Sequence, residues 1–261
     1  MSEHTRGGRT VRSAIARSDA TSVHVHGLDL IEMLGTVNLG DFAYLELFGR
    51  LPDQAESTVF NAMVVSLVEH GLTPSALVTR TTYLGAPESI QGAVAAGLLG
   101  LGDTYVGTIE GAARVCANAL EPGRVYTDSE IDEIAAKVFD EHRAVGKHVA
   151  GLGHPVHKPV DPRAEKLFAV AEQNGLSTSA PRLMRALSAR VAAARGSAIP
   201  VNVTGAIGSL AATLGISADI ARGLGVMARA IGLVGHLLEE RSDPIAATVW
   251  TRAERESMEL D

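Results

Sequence analysis

The amino-acid sequence predicts an all-α globular protein. Hydrophobic residues fill 46% of the 261 positions, but aromatic residues fill only 4%. Ala, Leu, Gly and Val occupy most apolar positions, and runs of β-branched residues are few. This composition favours closely packed helices over sheets. A chain of this length can bury one large core or two unequal ones.

Composition also excludes several classes of function. The formal net charge of -7 gives no electrostatic footprint for nucleic acid, and no basic helix suggests a membrane surface. The longest apolar stretch, "AVAAGLLGLG", is too short to span a membrane. The single cysteine, Cys116, excludes an internal disulfide framework. The N-terminal "MSEHTRGGRTVR" lacks the apolar segment of a signal peptide, so we expect a flexible basic arm over residues 1–20 and a cytoplasmic protein.

The first half of the chain reads as helices separated by glycines. In "STVFNAMVVSLVEHG" apolar residues recur at helical spacing, and Gly71 stands where a glycine ends a helix. His70 is therefore placed at a helix end. Alanine-rich helical sequence follows to residue 100, and "LGLGDTYVG" interrupts it. Thr127 and Glu130 have the spacing of a capping box at the start of the next helix.

The second half begins with an irregular segment, because residues 146–160 hold too many glycines and prolines for regular structure. Asp161 then caps a helix whose first position is Pro162, which places Arg163 in the first turn. A further amphipathic helix ends at Gly196, and a short extended piece leads into a glycine-rich helix.

The last long helix begins after Ser217 and runs to residue 240. Its glycines predict close packing against other helices; they are Gly223, Gly225, Gly232 and Gly235. On this helix we expect His236 to pack or cap, and Glu239 and Glu240 to lie on a solvated face. Because the chain has no internal repeat or low-complexity linker, any second domain must be an insertion, with hinges at the glycines near 102–107 and 205–208.

The loop "GLGHPVHKPVDPRAEK", residues 151–166, combines residue types that a turn alone does not require. His154 and His157 could bind a metal, but a loop broken by prolines does not fix their geometry and no third soft ligand is near in sequence. A structural alternative is that His154 hydrogen-bonds a neighbouring carbonyl while the glycines shape a turn.

A functional interpretation gives each residue of this loop a task. Gly151 and Gly153 let backbone N–H groups approach a ligand, His154 supplies a proton or a hydrogen bond, and Arg163 binds a carboxylate. The side chains expected near ligand phosphates are those of Lys147, His148 and Lys158. This set suits an acyl-CoA and a small polycarboxylate better than a nucleotide, because the GxxxxGK[ST] motif is absent.

The same segment carries a resemblance to a known family. "GLGHPVHKPVDPRA" resembles the GxGHxVxxxxDPR segment of the citrate synthase family. "AYLELFGRLPDQAE" is similar to that family's LLFGxLP segment, "LVEHGLTPSALVTR" to DHxxxxSTFxxR, "NVTGAIG" to NVDxxxG, and "MARAIGLVGHLLEE" to ARxxGxxAHxxEx. The resemblance implies an all-helical citrate synthase-like fold, in which residues 21–106 and 206–261 form a large domain and residues 107–205 an inserted, mobile CoA-binding domain. It also implies a homodimer or higher homo-oligomer.

The resemblance assigns roles at matching positions. His70 and His154 match substrate-binding histidines, and Arg163 and Arg229 match carboxylate-binding arginines. Arg241 is a further candidate for a carboxylate. No metal and no tightly bound cofactor are implied, since a coenzyme A thioester is itself substrate or product.

One missing residue indicates which branch of the family the chain resembles. "GLLGLGDTYVGTIEGAARV" lacks the histidine of the citrate synthase segment GPLHG, and Val106 stands approximately at its place. The stretch resembles instead the citryl-CoA lyase portion of ATP-citrate lyase and the stand-alone citryl-CoA lyases. The resemblance therefore implies retro-Claisen cleavage of citryl-CoA to acetyl-CoA and oxaloacetate.

Two departures from the family pattern leave alternatives open. Thr204 replaces the aspartate of NVD, and a hydroxyl group does not titrate in a range useful for acid or base catalysis, although it can hydrogen-bond. Pro155 replaces an arginine, removing one anion contact. The chain is then a lyase in which His70, His154 or a substrate carboxylate transfers the proton, an enzyme for a different acyl-CoA and oxoacid pair, or a non-catalytic CoA-binding protein.

Overall fold

The structure, a computed structural model, describes residues 12–258. It separates into two compact units, with the boundary between Phe60 and Asn61. The all-α prediction is confirmed, because helices dominate both described parts and the strands are two or three residues long. The division after Phe60 differs from the domain boundaries predicted near residues 106 and 205, which stay a prediction.

A small antiparallel sheet opens the first unit. Its strands are β1 (Ala16–Ser18), β2 (Val23–Val25) and β3 (Leu28–Asp29), in the order β1-β2-β3. Arg17 pairs with His24 across the first two strands. The predicted arm over residues 1–20 thus ends in a strand, because pairing with β2 satisfies its backbone groups. Residues 1–11 of that arm lie outside the described residues.

Two helices complete the core of the first unit. Helix α1 spans Leu30–Met33 and α2 spans Leu39–Phe48. Val25, Met33 and Leu45 are buried together, so the sheet and both helices share one apolar cluster.

Helix α3 (Gln54–Val68) crosses the boundary, and nine helices follow it among the described residues. They are α4 (Pro74–Gly85), α5 (Ile90–Leu99), α6 (Gly107–Ala119), α7 (Asp128–Ala144), α8 (Pro162–Gln173), α9 (Ser179–Arg195), α10 (Val203–Thr213), α11 (Ala218–Ser242) and α12 (Ala246–Met258). Helix α10 lies at the centre and packs on α6, α8 and α9, while α11 packs on α4, α5 and α6. Eight of the 11 residues of α10 are buried.

Two helix starts and one helix end lie where the sequence predicts caps. Thr127 and Glu130 form the expected capping box of α7. The Asp161 side chain accepts the N–H of Arg163 at the start of α8. Gly196 ends α9 in the left-handed conformation, with φ of 65°. These local signals survive folding because each is satisfied within a few residues of the chain.

Close packing accounts for several helical glycines. A Cβ at Gly208 would lie 2.5 Å from the Ile109 carbonyl oxygen, and one at Gly205 would lie 2.2 Å from the Gly151 oxygen. The backbone of α10 therefore touches α6 and the loop before α8. Both glycines serve this packing, and the hinge expected at 205–208 stays a prediction.

Helix α11 confirms half of the glycine prediction. A Cβ at Gly232 would lie 2.0 Å from the Val68 oxygen, and one at Gly225 2.8 Å from Val106 Cγ1, whereas Gly223 and Gly235 face open space. The helix is long and apolar enough to cross a membrane by length and composition alone, but half of that window is buried inside the protein. Such burial is typical of a core helix.

Candidate active site

Helix ends surround a cavity of about 380 Å³ in the second unit. Its walls come from the segment after α3, the start of α4, the segment before α6, the loop before α8, the first turn of α10 and the middle of α11. The titratable side chains that line it are His70, Tyr105, His154, Arg163 and Arg229. Among the described residues, no aspartate or glutamate lines this cavity. The cavity therefore has the charge of a site for an anion.

The backbone of its own loop orients His154. Its Nδ1 atom lies 3.1 Å from the backbone nitrogen of Val156 and 2.9 Å from that of His157. Both nitrogens are donors, so Nδ1 is an acceptor and the neutral ring carries its proton on Nε2. Nε2 lies 3.3 Å from Arg163 Nη2; because arginine has donors only, this contact is not a hydrogen bond when Nε2 is protonated, and the Nε2–H remains available to a ligand oxygen. Burial, with the nearby His157 and Arg163, holds the pKa of His154 below its ordinary value. His154 is thus a neutral hydrogen-bond donor.

His70 follows the end of α3, where Glu69 holds its backbone. Glu69 Oε1 accepts the N–H groups of His70 at 2.7 Å and Gly71 at 2.6 Å. The His70 ring meets the His154 ring edge to face, with centroids 6.1 Å apart. Burial and the positive charge of Arg163 hold the pKa of His70 below its ordinary value. A neutral imidazole at this position can accept a proton.

Arg163 is held by the carboxylate that caps its helix. Asp161 is buried and accepts the Nε and Nη2 of Arg163 at 3.1 and 2.9 Å. It also accepts the Val203 N–H at 3.0 Å, which ties α8 to α10. Burial opposes ionisation, but the hydrogen bonds from Arg163 outweigh it and lower the pKa of Asp161. Arg163 therefore enters the cavity with much of its charge already paired.

Arg229 is the arginine with unused hydrogen-bonding capacity. It is 8% exposed, and its Nη1 has no hydrogen-bond partner among the described residues. That atom lies 3.7 Å from Oε1 of Glu69, which is too long for a hydrogen bond. Burial lowers the pKa of Arg229, yet an arginine stays protonated in proteins. A buried cation of this kind is suited to bind a ligand carboxylate.

Thr204 lines the cavity in the first turn of α10, with its hydroxyl committed to protein partners. Its Oγ1 donates to Asn202 Oδ1 at 2.6 Å and accepts from Thr108 Oγ1 at 2.9 Å. Asn202 caps α10 and also donates to the Gly153 carbonyl at 2.7 Å. Thr204 thus joins α6 to α10, and its proton is not available for transfer.

Three imidazoles lie near one another, which bears on the metal question. Ligand atoms of His70, His154 and His157 all lie within 4.8 Å of one another. His70 thus lies beside the two histidines of the loop in space, although it is far from them in sequence. However, Nδ1 of His154 faces two backbone donors and Nε2 carries the proton, so neither nitrogen offers a free lone pair to a cation. The donor set therefore does not favour a metal.

Two predicted site residues lie elsewhere. Arg241 is exposed in the last turn of α11 and does not line the cavity. It follows buried Glu240 by one residue, or about 100° of helix rotation, so it leaves the buried face that carries Arg229. Lys158 is exposed and does not line this cavity.

The glycines predicted to approach CoA have other tasks. Gly151 is buried, and its carbonyl accepts the Asn202 N–H at 3.0 Å. The Gly153 N–H donates to the Pro200 carbonyl at 2.7 Å, so it cannot also bind an anion. Both have positive φ, 82° and 86°, which explains why glycine stands there.

A second cavity, of about 450 Å³, adjoins the first and contains Lys147. Its cationic lining includes Arg143, Lys147 and Arg195, and Gly153 lines both cavities. Lys147 thus lines a basic recess next to the loop that carries the histidines, and its contact with CoA phosphates stays a prediction.

Behind the cavity wall, sequence reasoning missed the pairing of Glu240 with Arg80, whereas the burial of His236 agrees with its expected packing. Glu240 is 5% exposed and pairs with buried Arg80, so the predicted solvated face is wrong at this position. His236 is buried between Arg80 and Glu69. The spacing of Arg229, His236 and Glu240 at i, i+7 and i+11 on one helix face was the signal that could have found them.

The fold and the cavity define a helical protein in which histidines and arginines line a cavity whose charge suits an anion, and sequence comparison supplies the family. Residues 39–250 match the family described as "Citrate synthase, C-terminal domain". The chain belongs to the citrate synthase family. A citrate synthase of Haloferax volcanii is 28% identical over 226 residues, covering 83% of this chain and 55% of that protein. A probable ATP-citrate synthase of Caenorhabditis elegans is 27% identical over 210 residues, covering 73% of this chain and 18% of that protein.

Solved structures agree with the fold. Citryl-CoA lyase from Hydrogenobacter thermophilus aligns with a TM-score of 0.79 and 27% identity, covering 90% of this chain and 88% of that one. Methanosaeta concilii ATP citrate lyase, solved with (3S)-citryl-CoA, aligns with a TM-score of 0.76 over 91% of this chain and 40% of that one. At 22% identity the second likeness supports the fold alone.

Proposed function

We propose that this protein is a citryl-CoA lyase-like enzyme that cleaves citryl-CoA to acetyl-CoA and oxaloacetate. The observation that carries the proposal is the pair of His70 and His154 beside Arg229 in one cavity that no carboxylate of the described residues lines. The near full-length likeness to a citryl-CoA lyase supports the choice of substrate.

His154 and His70 take different parts in the proposed reaction. The Nε2–H of His154 donates a hydrogen bond to the tertiary hydroxyl oxygen of the substrate and holds it as it becomes a ketone. His70, neutral at pH 7, accepts the hydroxyl proton. The O–H electron pair forms the C=O bond, and the carbon–carbon bond breaks to leave the enolate of acetyl-CoA. The enolate carbon then takes the proton from His70, so no oxidant or cofactor is consumed.

The arginines bind the free carboxylates of the acyl group. Arg229 binds one of them with Nη1, which has no hydrogen bond among the described residues, and Arg163 binds the other while Asp161 keeps its guanidinium in place. The basic recess around Lys147 accepts the CoA phosphates, and we expect the thioester to lie between the two cavities, which share Gly153.

A second candidate substrate is a 3-hydroxyacyl-CoA with one free carboxylate. Arg163 is already paired with Asp161, Pro155 replaces a family arginine and Arg241 is remote, so Arg229 is the one lining arginine without a carboxylate hydrogen bond among the described residues. Offering citryl-CoA and 3-hydroxy-3-methylglutaryl-CoA to the same enzyme separates the two candidates. Higher kcat/KM for citryl-CoA supports the lyase proposed first, and the reverse order supports the less charged substrate.

We also infer a homodimer or higher homo-oligomer in the cytoplasm. An exposed apolar stripe on α11 supports the assembly: Ile231, Val234 and Leu238 are 45%, 53% and 69% exposed. Their spacing places them on one side of the helix, where a second copy would cover them.

The test of the proposal is release of oxaloacetate and acetyl-CoA from synthetic citryl-CoA by the purified protein. Turnover that is lost in His154→Ala supports the proposal. Tight binding of a CoA ester without turnover would move the function to another hydroxyacyl-CoA, and absence of both would leave the non-catalytic alternative.

A further inference from the structure

A chain of polar side chains runs from helix α12 to the candidate active site. It begins at Glu240, which accepts the N–H groups of Ile245 at 3.0 Å and Ala246 at 2.8 Å. Arg80 Nη1 donates to Glu240 Oε2 at 2.9 Å. The side chains of Arg80 and Glu240 are 2% and 4% exposed, so this pair is fixed inside the protein.

His236 is the next member, and its tautomer follows from its partners. Arg80 donates to His236 Nδ1 through Nε at 3.2 Å and faces it with Nη2 at 3.1 Å. Because arginine has donors only, Nδ1 is unprotonated. The ring proton is therefore on Nε2, which donates to Glu69 Oε1 at 3.2 Å. The direction of every hydrogen bond from Arg80 to Glu69 is thus determined.

Glu69 is the last side chain in this hydrogen-bonded series, and it lies next to two parts of the candidate site. Its Oε1 accepts the backbone N–H groups of His70 and Gly71. The same oxygen lies 3.7 Å from Arg229 Nη1, near enough to attract the cation but too far to hydrogen-bond it. The hydrogen bond from His236 holds the carboxylate at this place. A carboxylate released from His236 would move onto Arg229 and compete with a ligand carboxylate.

We propose that Glu69 and His236 are positioning residues, which fix the backbone of His70 and keep Arg229 Nη1 without a hydrogen bond, so that it can bind the substrate. The inference rests on the proposed roles of His70 and Arg229. It adds that side chains outside the cavity lining determine how much of the positive charge of Arg229 is available to a ligand carboxylate. These side chains are the members of the hydrogen-bond chain.

Two variants of one residue test the inference. His236→Leu removes both ring nitrogens, whereas His236→Gln keeps an acceptor for Arg80 and a donor for Glu69. We expect His236→Leu to weaken oxaloacetate binding, measured by calorimetry, by about tenfold or more, because a hydrogen bond to a charged group is lost. His236→Gln is expected to recover most of that loss. Glu130→Gln, which removes the capping carboxylate of α7 far from the cavity in sequence, is the control for lost stability.

A second readout separates this inference from the proposed reaction. The ring signals of His70 and the Nε–H signal of Arg229, followed by NMR without substrate, should move in His236→Leu and stay near wild type in His236→Gln and Glu130→Gln. Unchanged signals in His236→Leu would overturn the inference whether or not the enzyme cleaves citryl-CoA. Moved signals in a protein without lyase turnover would support the positioning chain and contradict only the proposed reaction.

Discussion

The proton of His154 is placed by the loop that carries it. Two backbone donors on Nδ1 leave Nε2–H as the one polar group of the ring that can meet a substrate oxygen. Among the alternatives left by the sequence for the proton acceptor, this geometry favours His70 over His154. Sequence could place both histidines near a helix end and in a loop, but it could not place their protons, because the partners of the rings depend on tertiary structure.

The pH dependence of turnover tests the role of His70. Its pKa lies below the ordinary 6.5, with burial as the main cause. The neutral, proton-accepting form therefore persists through neutral pH, and kcat/KM should fall only as the pH drops through the lowered pKa, below 6.5. A pH–rate profile of kcat/KM checks this. An acid limb centred above 6.5 would contradict the assignment.

Asp161 links stability to the site. Asp161→Asn removes the charge paired with Arg163, and we expect the free energy of unfolding at pH 7 to fall by about 2 kcal/mol. The folded-state pKa of Asp161 is lowered, so its stabilisation is present above the ordinary 3.8 and is lost as the pH falls below it. The difference between variant and wild type should therefore shrink in acid. Urea unfolding at both pH values measures it, with the exposed Asp132→Asn as the control; equal losses in the two variants would contradict the account.

At the scale of elements, local sequence signals were sufficient to predict helix termini whose capping groups lie within a few residues of one another. The capping box of α7, the cap of α8 and the glycine after α9 follow the sequence. The sheet at residues 16–29 escaped prediction because strands of two or three residues show no period. The pair of Arg80 and Glu240 escaped it because its partners are 160 residues apart.

The contact of α11 with the end of α3 gives a prediction with a matched control. Gly232→Ala places a Cβ 2.0 Å from the Val68 oxygen, so we expect a loss of about 2 kcal/mol of unfolding free energy. Turnover should fall too, since Val68 lies two residues before His70. Gly223→Ala, on the same helix but facing open space outside the 231–238 stripe, should be neutral or stabilise by up to about 1 kcal/mol. Thermal unfolding of both variants checks this, and equal effects would refute the close contact.

At the scale of the whole molecule, the apolar stripe on α11 predicts self-association. Light scattering after size-exclusion chromatography should give at least twice the chain mass of 27.2 kDa. Val234→Glu places a charge in the stripe and should lower that mass, because burying an unpaired charge is costly. Val125→Glu, at a position 86% exposed outside the stripe, should leave the mass unchanged. A wild-type protein of single-chain mass would contradict the predicted assembly.

The family assignment was within reach of the sequence because its motifs are spread along the chain in order. The arrangement of the charged side chains could not be predicted from the sequence. Only the packed helices show that Arg163 is hydrogen-bonded to Asp161, that Arg241 is remote, and that Arg229 Nη1 has no hydrogen bond among the described residues. The reaction proposed here depends on that arrangement.

The most direct measurement is the rate at which the purified protein cleaves citryl-CoA. We compare the wild type with His70→Gln and His154→Ala, and His24→Gln on strand β2 is the control. We predict turnover in the wild type and the control, with losses of about 100-fold or more in the two site variants. Wild-type turnover retained in His70→Gln would contradict the assignment of the base, and a wild type without turnover would contradict the proposed lyase activity.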